Sequence, residues 1–410
     1  MKKHRQVPGF APSVGLVSAV LAALFISLLP SSAENEKIEM KDFAKNAHPG
    51  ASVVFSEEDI IQNTVSKQTP SALLISGLPH SDVGTLCLNE KVLCEGNIIP
   101  ADEIGGLVFT PGTQNEFTAE LCFLPLSSAD TISLGGSPIT VTLNFSLTPN
   151  SPPLPASLAL ETYKNMPLEI DLSAYDHDGD PVSYHIVSQS GNGTLELVNG
   201  RLIFTPEADT TGKFGITFYA KDSAGNTSGL TKTTVSVSKN RSNISYADIT
   251  DPSREYYAVR LAESGVFYGE RYGDTATLTS ERSFSKMEFS VLCAAALDLS
   301  VESYAEFSMP GVPVWQTPYL STAVSAGTFD DSDVLSPVTA RSAAFIALEL
   351  LEEKLGRDIS ADSLGFAREC GIISSGMSPD TELSREEALE MICKTMDVFS
   401  GKKHGWRGLE

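Results

Sequence analysis

GTLEL at residues 193–197, followed by LIFTP at 202–206, restates a pair met earlier in the chain: GTLCL at 84–88, then LVFTP at 107–111. The order carries on past each pair. After each FTP comes an alternating run, EFTAELCF in the first copy and KFGITFYA in the second, and the copies close on ITVTLNFSL and TKTTVSVSK. Alternation of apolar and polar residues over such short runs marks half-buried β-strands. Residues 50–240 are rich in Thr, Ser, Val and Ile and are cut by Gly, Pro and Asn, so they read as all-β. Between the copies TPNSPPLPAS (148–157) is stiff and extended by composition. The expectation is two successive β-sandwiches, 50–148 and 149–240, each long enough for seven or so short strands.

From Ser245 onward the pattern is helical and again repetitive. LAESG (261–265), AVSAG (323–327) and ARECG (367–371) each end an apolar stretch on Gly, as a helix C-terminus does. A second helix follows each time, from Ser285, Thr339 or Ser384, all N-cap residue types. Apolar residues then recur at three and four: Phe289, Leu292, Ala296, Leu299; Ala344, Leu348, Leu351, Leu355; Leu389, Ile392, Met396, Phe399. Ser384 with Glu387 forms a capping box. Its neighbours Glu386 and Glu387 suit the positive end of a helix, but Arg385, at the first helical position, does not. The steps from Gly to cap are 20, 12 and 13 residues, so the first repeat carries a longer loop, FYGERYGDTATLTSERSF.

At 410 residues and 41% apolar content the chain has room for several real cores. MKKHRQ, an apolar run from Val14 to Leu29, and PSSA before ENEK have the order of a secretory signal, 1–33, with cleavage expected after Ala33. The run is short for a membrane span, so no integral span is expected in the mature chain. Cleavage would remove the cations Lys2, Lys3 and Arg5 and no acid, taking the formal charge from −23 to −26. Nucleic acid is not expected as a partner, and any polyanion needs basic groups gathered locally. Most of the six cysteines are expected to be buried free thiols.

SAYDHDGDPVSYHI and AKDSAGNTS in the second copy resemble bacterial Ig-like or cadherin-like surface repeats. The three helical units resemble the S-layer homology (SLH) domain, with repeats at 245–300, 305–353 and 354–400. YADI (246–249) matches the opening of a family repeat, and Trp315 matches the family Trp twelve residues before the Gly, where Ser253 and Ile359 stand in the other two. The family's Thr-Arg-Ala-Glu signature appears as SKME (285–288), TARS (339–342) and SREE (384–387). The fold expected is multidomain: two all-β Ig-like or cadherin-like sandwiches followed by an all-α three-repeat SLH domain.

The SLH resemblance implies a groove between repeats where the residue after the cap helps to hold an anionic, often pyruvylated, secondary cell-wall polysaccharide. That assigns polysaccharide binding to Arg385, to Lys286, and to Arg341, which sits one residue late behind Ala340. A guanidinium can pair bidentately with a carboxylate, whereas an ammonium cannot fix its orientation. Arg385→Ala is therefore expected to weaken binding at least about tenfold, Lys286→Ala less and Arg341→Ala least, with stability changed by no more than about 0.5 kcal/mol. Trp315 offers a sugar platform or a core residue.

Asp176, Asp178 and Asp180 in DHDGD suit calcium, with Glu161 or Asp222 as further ligands, or else a solvated turn. No nucleophile elbow, zinc helix or phosphate loop is present in the sequence. The function implied is a non-catalytic protein of the bacterial cell wall or surface, tethered by its SLH repeats and displaying its sandwiches as adhesin or spacer toward a partner the sequence does not name. The rival is a wall-active enzyme tethered in the same way, with a catalytic site in the N-terminal region.

Overall fold

The computed structural model describes residues 24–26, 38–127, 136–273, 275–279, 282–299, 334–407 and 409. The first sandwich pairs one sheet of Phe43–Ala47, Ile139–Phe145, Phe117–Leu126, Ala72–Gly77 and Ile98–Pro100 with another of Val53–Val54, Leu107–Pro111, Gly84–Leu88 and Lys91–Val92. The second sets Ala159–Tyr163, Thr231–Ser238, Gly212–Lys221 and Ser183–Ser190 against Leu168–Glu169, Arg201–Pro206 and Gly193–Val198. In both, the first strand runs parallel to the last. Leu24–Ile26 adds a parallel strand beside Tyr184–Ile186, and cleavage after Ala33 would remove it.

The sequence echo is an echo of register. Gly84 pairs with Pro111 and Leu86 with Phe109; Gly193 pairs with Pro206 and Leu195 with Phe204. Glycine is required at both places by close approach of a ring. A Cβ on Gly84 would lie 2.3 Å from Phe109 Cζ, and one on Gly193 2.4 Å from Phe204 Cε2. Both phenylalanines are fully buried, and each contributes about 1.5–3 kcal/mol by leaving water. One boundary moves: Phe43–Ala47 lies ahead of the expected start at residue 50, and only Phe43 in it is buried.

The helical part is a ring. Lys286–Ala296, Ala340–Leu355 and Arg385–Phe399 all pack on one another, each opened by a capping box at Ser285, Thr339 or Ser384. Glu255–Glu263, the first helix of repeat one, packs on Arg385–Phe399 of repeat three, and Ser363–Glu369 of repeat three packs on Ala340–Leu355 of repeat two. Thus a first helix leans on the second helix of the repeat before it. Backbone bonds stitch the cap loops together, from Val338 N–H to Phe284 O (2.9 Å) and from Leu383 N–H to Val338 O (3.0 Å). Glu386 closes the circle by accepting Thr250 N–H at 2.7 Å and Asp251 N–H at 3.2 Å. Gly265 and Gly371 end the two short helices in left-handed conformation. The next N–H then reaches back into the helix, from Val266 to Leu261 O (2.9 Å) and from Ile372 to Ala367 O (2.8 Å). The corresponding Gly327, with Trp315 and the first half of repeat two, lies outside the described residues.

The two junctions between modules differ in kind. First and second sandwich meet through polar groups: Asn46 donates to Asn150 O (2.7 Å) and Asn226 Oδ1 (2.9 Å), and Asn144 to Ala224 O (2.9 Å). Lys41 is buried there, bonded to Ser228 O, and burial lowers its pKa to about 8. The second sandwich and the helices instead share one hydrophobic core, separate from that of the first sandwich. Tyr163 packs on Tyr256 at 5.2 Å and donates to Glu263 at 2.7 Å. A common core thus runs across the expected division at 240–245, while the cores on either side of 148–157 are separate.

All six cysteines are free. Cys293, Cys370 and Cys393 are buried among the helices, and burial pushes each thiol up to about 12. No described helix is long and apolar enough to cross a membrane.

Candidate polysaccharide-binding site

The three helix starts have three different fates. Arg385 is only 9% exposed. Its Nε donates to Arg282 O at 2.8 Å, and its Nη1 to Leu278 O at 2.5 Å and Thr279 Oγ1 at 2.8 Å, with the guanidinium 4.6 Å over the Phe284 ring. The long loop of repeat one supplies all of these partners. It folds as a hairpin, Glu270–Tyr272 with Thr275–Thr277, paired in turn to Ser245–Tyr246. Thr279 then turns left-handed (φ 53°), a costly conformation for a β-branched residue. Burial first, and the charge of Arg282 second, pull the Arg385 pKa down. Sequence reasoning placed this side chain facing a sugar groove; the structure places it against backbone carbonyls.

Lys286 is half-buried at its helix start, where its backbone N–H donates to Ser336 O at 2.9 Å. Arg341 is exposed, 60% by side chain, and its Nε lies 3.5 Å from Asp380, which is more open still. Ala340, at the position matching Arg385, is fully buried, so the one-residue slip carries Arg341 outward.

Two cavities near the ring have opposite character. One of 260 Å³ lies between repeat three and the C-terminal tail, where Arg357 and Arg407 flank Trp406, Ile359 and Phe366 with a single acid, Asp358. The tail is fixed there: Trp406 stacks on Tyr175 of the second sandwich at 4.5 Å, and Arg407 pairs with Glu369 at 3.0 Å. Sequence reading missed this site because GKKHGWRGLE looks like a polar end. The other cavity, 420 Å³, lies between repeat three and the second sandwich. Its cations are already spent: Arg254 on Glu390 at 2.9 Å, Lys394 on Glu390 at 2.7 Å, Arg201 on Glu169 and on Asp251 at 2.6 Å. The first cavity is lined by two arginines and one acid, Asp358, with Glu369 on Arg407, whereas in the second each cation is held by a lining or neighbouring carboxylate.

The DHDGD carboxylates serve a turn and a linker. Asp176 Oδ1 accepts the N–H groups of Asp178 (3.0 Å) and Asp180 (3.1 Å), Asp178 Oδ2 accepts Ser151 N–H (2.6 Å), and Asp180 Oδ1 accepts Ser223 Oγ–H (3.0 Å). Asp222 lies beside them through Asn150 (2.8 Å), whereas Glu161 pairs with Lys402 at 2.9 Å, beside the helices. Asp176 Oδ2 is buried without a partner, yet among the described residues no three acidic, His or Cys side chains are gathered closely enough to hold a metal. The donor set fits the turn better than calcium.

No curated protein matches the chain. Solved structures that align with it include Drosophila N-cadherin EC1-4, at 12% identity over 53% of this chain and 54% of that chain, with a TM-score of 0.20. The fibronectin(III)-like modules of Clostridium thermocellum CbhA align at 13% identity over 49% of this chain and 91% of that chain, with a TM-score of 0.18. An endo-fucoidan hydrolase of glycoside hydrolase family 107 aligns at 16% identity over 51% of this chain, with a TM-score of 0.18, and the match spans 30% of the hydrolase. Superpositions this loose carry no argument about activity. Residues 150–247 match the family model of the bacterial Ig domain, over the span of the second sandwich, so that module is a bacterial Ig-like domain.

Proposed function

We propose that this chain is an exported, non-catalytic protein of the bacterial cell surface, held to anionic wall polysaccharide by its helical SLH-like ring and displaying its sandwiches outward as adhesin or spacer. The observation that carries the reading is the ring itself: three capped helix starts closed on one another, with Arg341 open to solvent beside one of them. Arg357 and Arg407, the latter shared with Glu369, gather two cations about an aromatic floor on a chain of formal charge −23, and this local gathering supports the reading. Arg385 contributes by holding repeat three to the loop of repeat one rather than by touching sugar.

The common core dictates how the division of labour is tested. Residues 149–410, cut in the polar linker, are expected to sediment with isolated cell walls, and residues 34–148 to stay in the supernatant. Equal sedimentation of the two fragments, or none by 149–410, contradicts the proposal.

A further inference from the structure

We propose that the 420 Å³ cavity between the bacterial Ig-like domain and repeat three binds a ligand carrying a primary ammonium on a compact, partly apolar body, of which an amino sugar is the fitting class. This inference stands apart from wall-polysaccharide binding, which asks for anions. The cavity volume falls within the range of small-molecule sites. Neither domain forms it alone: Glu169, Asp171 and Arg201 come from the sandwich, and Ile372, Met377 and Met391 from repeat three supply an apolar floor.

Charge accounting selects the ligand. Every cation lining the cavity is bonded to a glutamate: Arg201 to Glu169, and Arg254 and Lys394 to Glu390. Asp171 is the exception among the acids. Its carboxylate accepts no hydrogen bond from any described residue, and Lys394, held by Glu390 at 2.7 Å, acts on it only through space. Burial, and then the nearby Glu169 and Glu390 against the pull of Lys394, leave the Asp171 carboxyl above its usual range. It is half-buried, so it can be reached. A cavity with one carboxylate short of donors is complemented by a group that brings both charge and several N–H donors, and an ammonium brings three. The pyranose C–H face then has Ile372, Met377 and Met391 to lie against.

The test is calorimetric titration of the full chain with glucosamine and with N-acetylglucosamine, at about pH 6.5 so that the amine is protonated. Acetylation removes the charge while keeping the ring, and glucosamine is expected to bind at least about tenfold more tightly. Asp171→Asn, of the same shape, is expected to abolish that preference while the thermal melt is retained. No glucosamine binding, equal binding of the two sugars by the natural chain, or an undiminished preference in the variant overturns the inference. The comparison of the two sugars on the natural chain decides the matter even if the variant folds poorly. Sedimentation with walls is unaffected by any of these outcomes, so the two proposals fail separately.

Discussion

Asp397→Ala is expected to lower the stability of the unit formed by the Ig-like domain and the helices by about 3–5 kcal/mol, the usual cost of removing one partner from a buried ion pair. Asp397 is 4% exposed and sits near the end of the Arg385–Phe399 helix. It holds Arg260 of repeat one with two bonds, at 2.5 and 2.6 Å, and His404 of the tail at 2.8 Å. One carboxylate thus ties the first repeat, the third repeat and the tail together. Its loss leaves a largely covered guanidinium, its side chain 16% exposed, with no carboxylate to hold it. Burial alone would raise the Asp397 pKa, but the bonds from His404 and Arg260 hold it well below the usual carboxylate range. A depressed folded pKa means that the stabilisation is complete above the unfolded value of about 3.9 and is lost as pH falls toward the folded one. Urea melts should therefore show the full gap between natural chain and variant at neutral pH, and a gap that begins to shrink below about pH 4. A gap under about 1 kcal/mol at neutral pH would be too small for a buried pair.

Arg385→Ala is expected to cost about 2–3 kcal/mol of stability, not the half kilocalorie of an exposed arginine. Two carbonyls, Leu278 O and Arg282 O, and the Thr279 hydroxyl lose their donor together, and Phe284 loses the cation above its ring. Left-handed Thr279 then has less to hold it in a strained conformation. Arg385→Lys keeps the charge but cannot make the forked set of bonds, so it should fall between. Wall binding measured well below the melting temperature should change less than about tenfold. An unchanged melt with lost binding would return Arg385 to the sugar.

What was legible in the sequence is what local chemistry decides. The GTLxL and LxFTP pairs announced two antiparallel strand pairs of identical register, because glycine at 84 and 193 and phenylalanine at 109 and 204 are fixed by contact across one pair of strands. The helix starts at Ser285, Thr339 and Ser384 were visible because a cap and its box lie within four residues. The strand Phe43–Ala47 was not visible, since its partner Ile139–Phe145 lies far along the chain and only one of its side chains is buried. The fate of Arg385 was hidden for a related reason. Its partners are main-chain carbonyls more than a hundred residues earlier, and a carbonyl leaves no mark in the amino-acid code. The tail deceived in the same way: Trp406 is placed by Tyr175, and His404 by Asp397.

Burial thus reverses the ranking that the family signature suggests among the helix-start cations, and under the proposed function exposed Arg341, not Arg385, is the one expected to meet the ligand. The most direct test is a calorimetric titration of purified wall polysaccharide into the natural chain and into Arg341→Ala, with thermal melts of both. Arg341 shares only a long, exposed ion pair with Asp380, worth about 0–1 kcal/mol, so the melt should hardly move. The account predicts at least about a tenfold loss of affinity with the melt retained; equal affinity in the two proteins would contradict it.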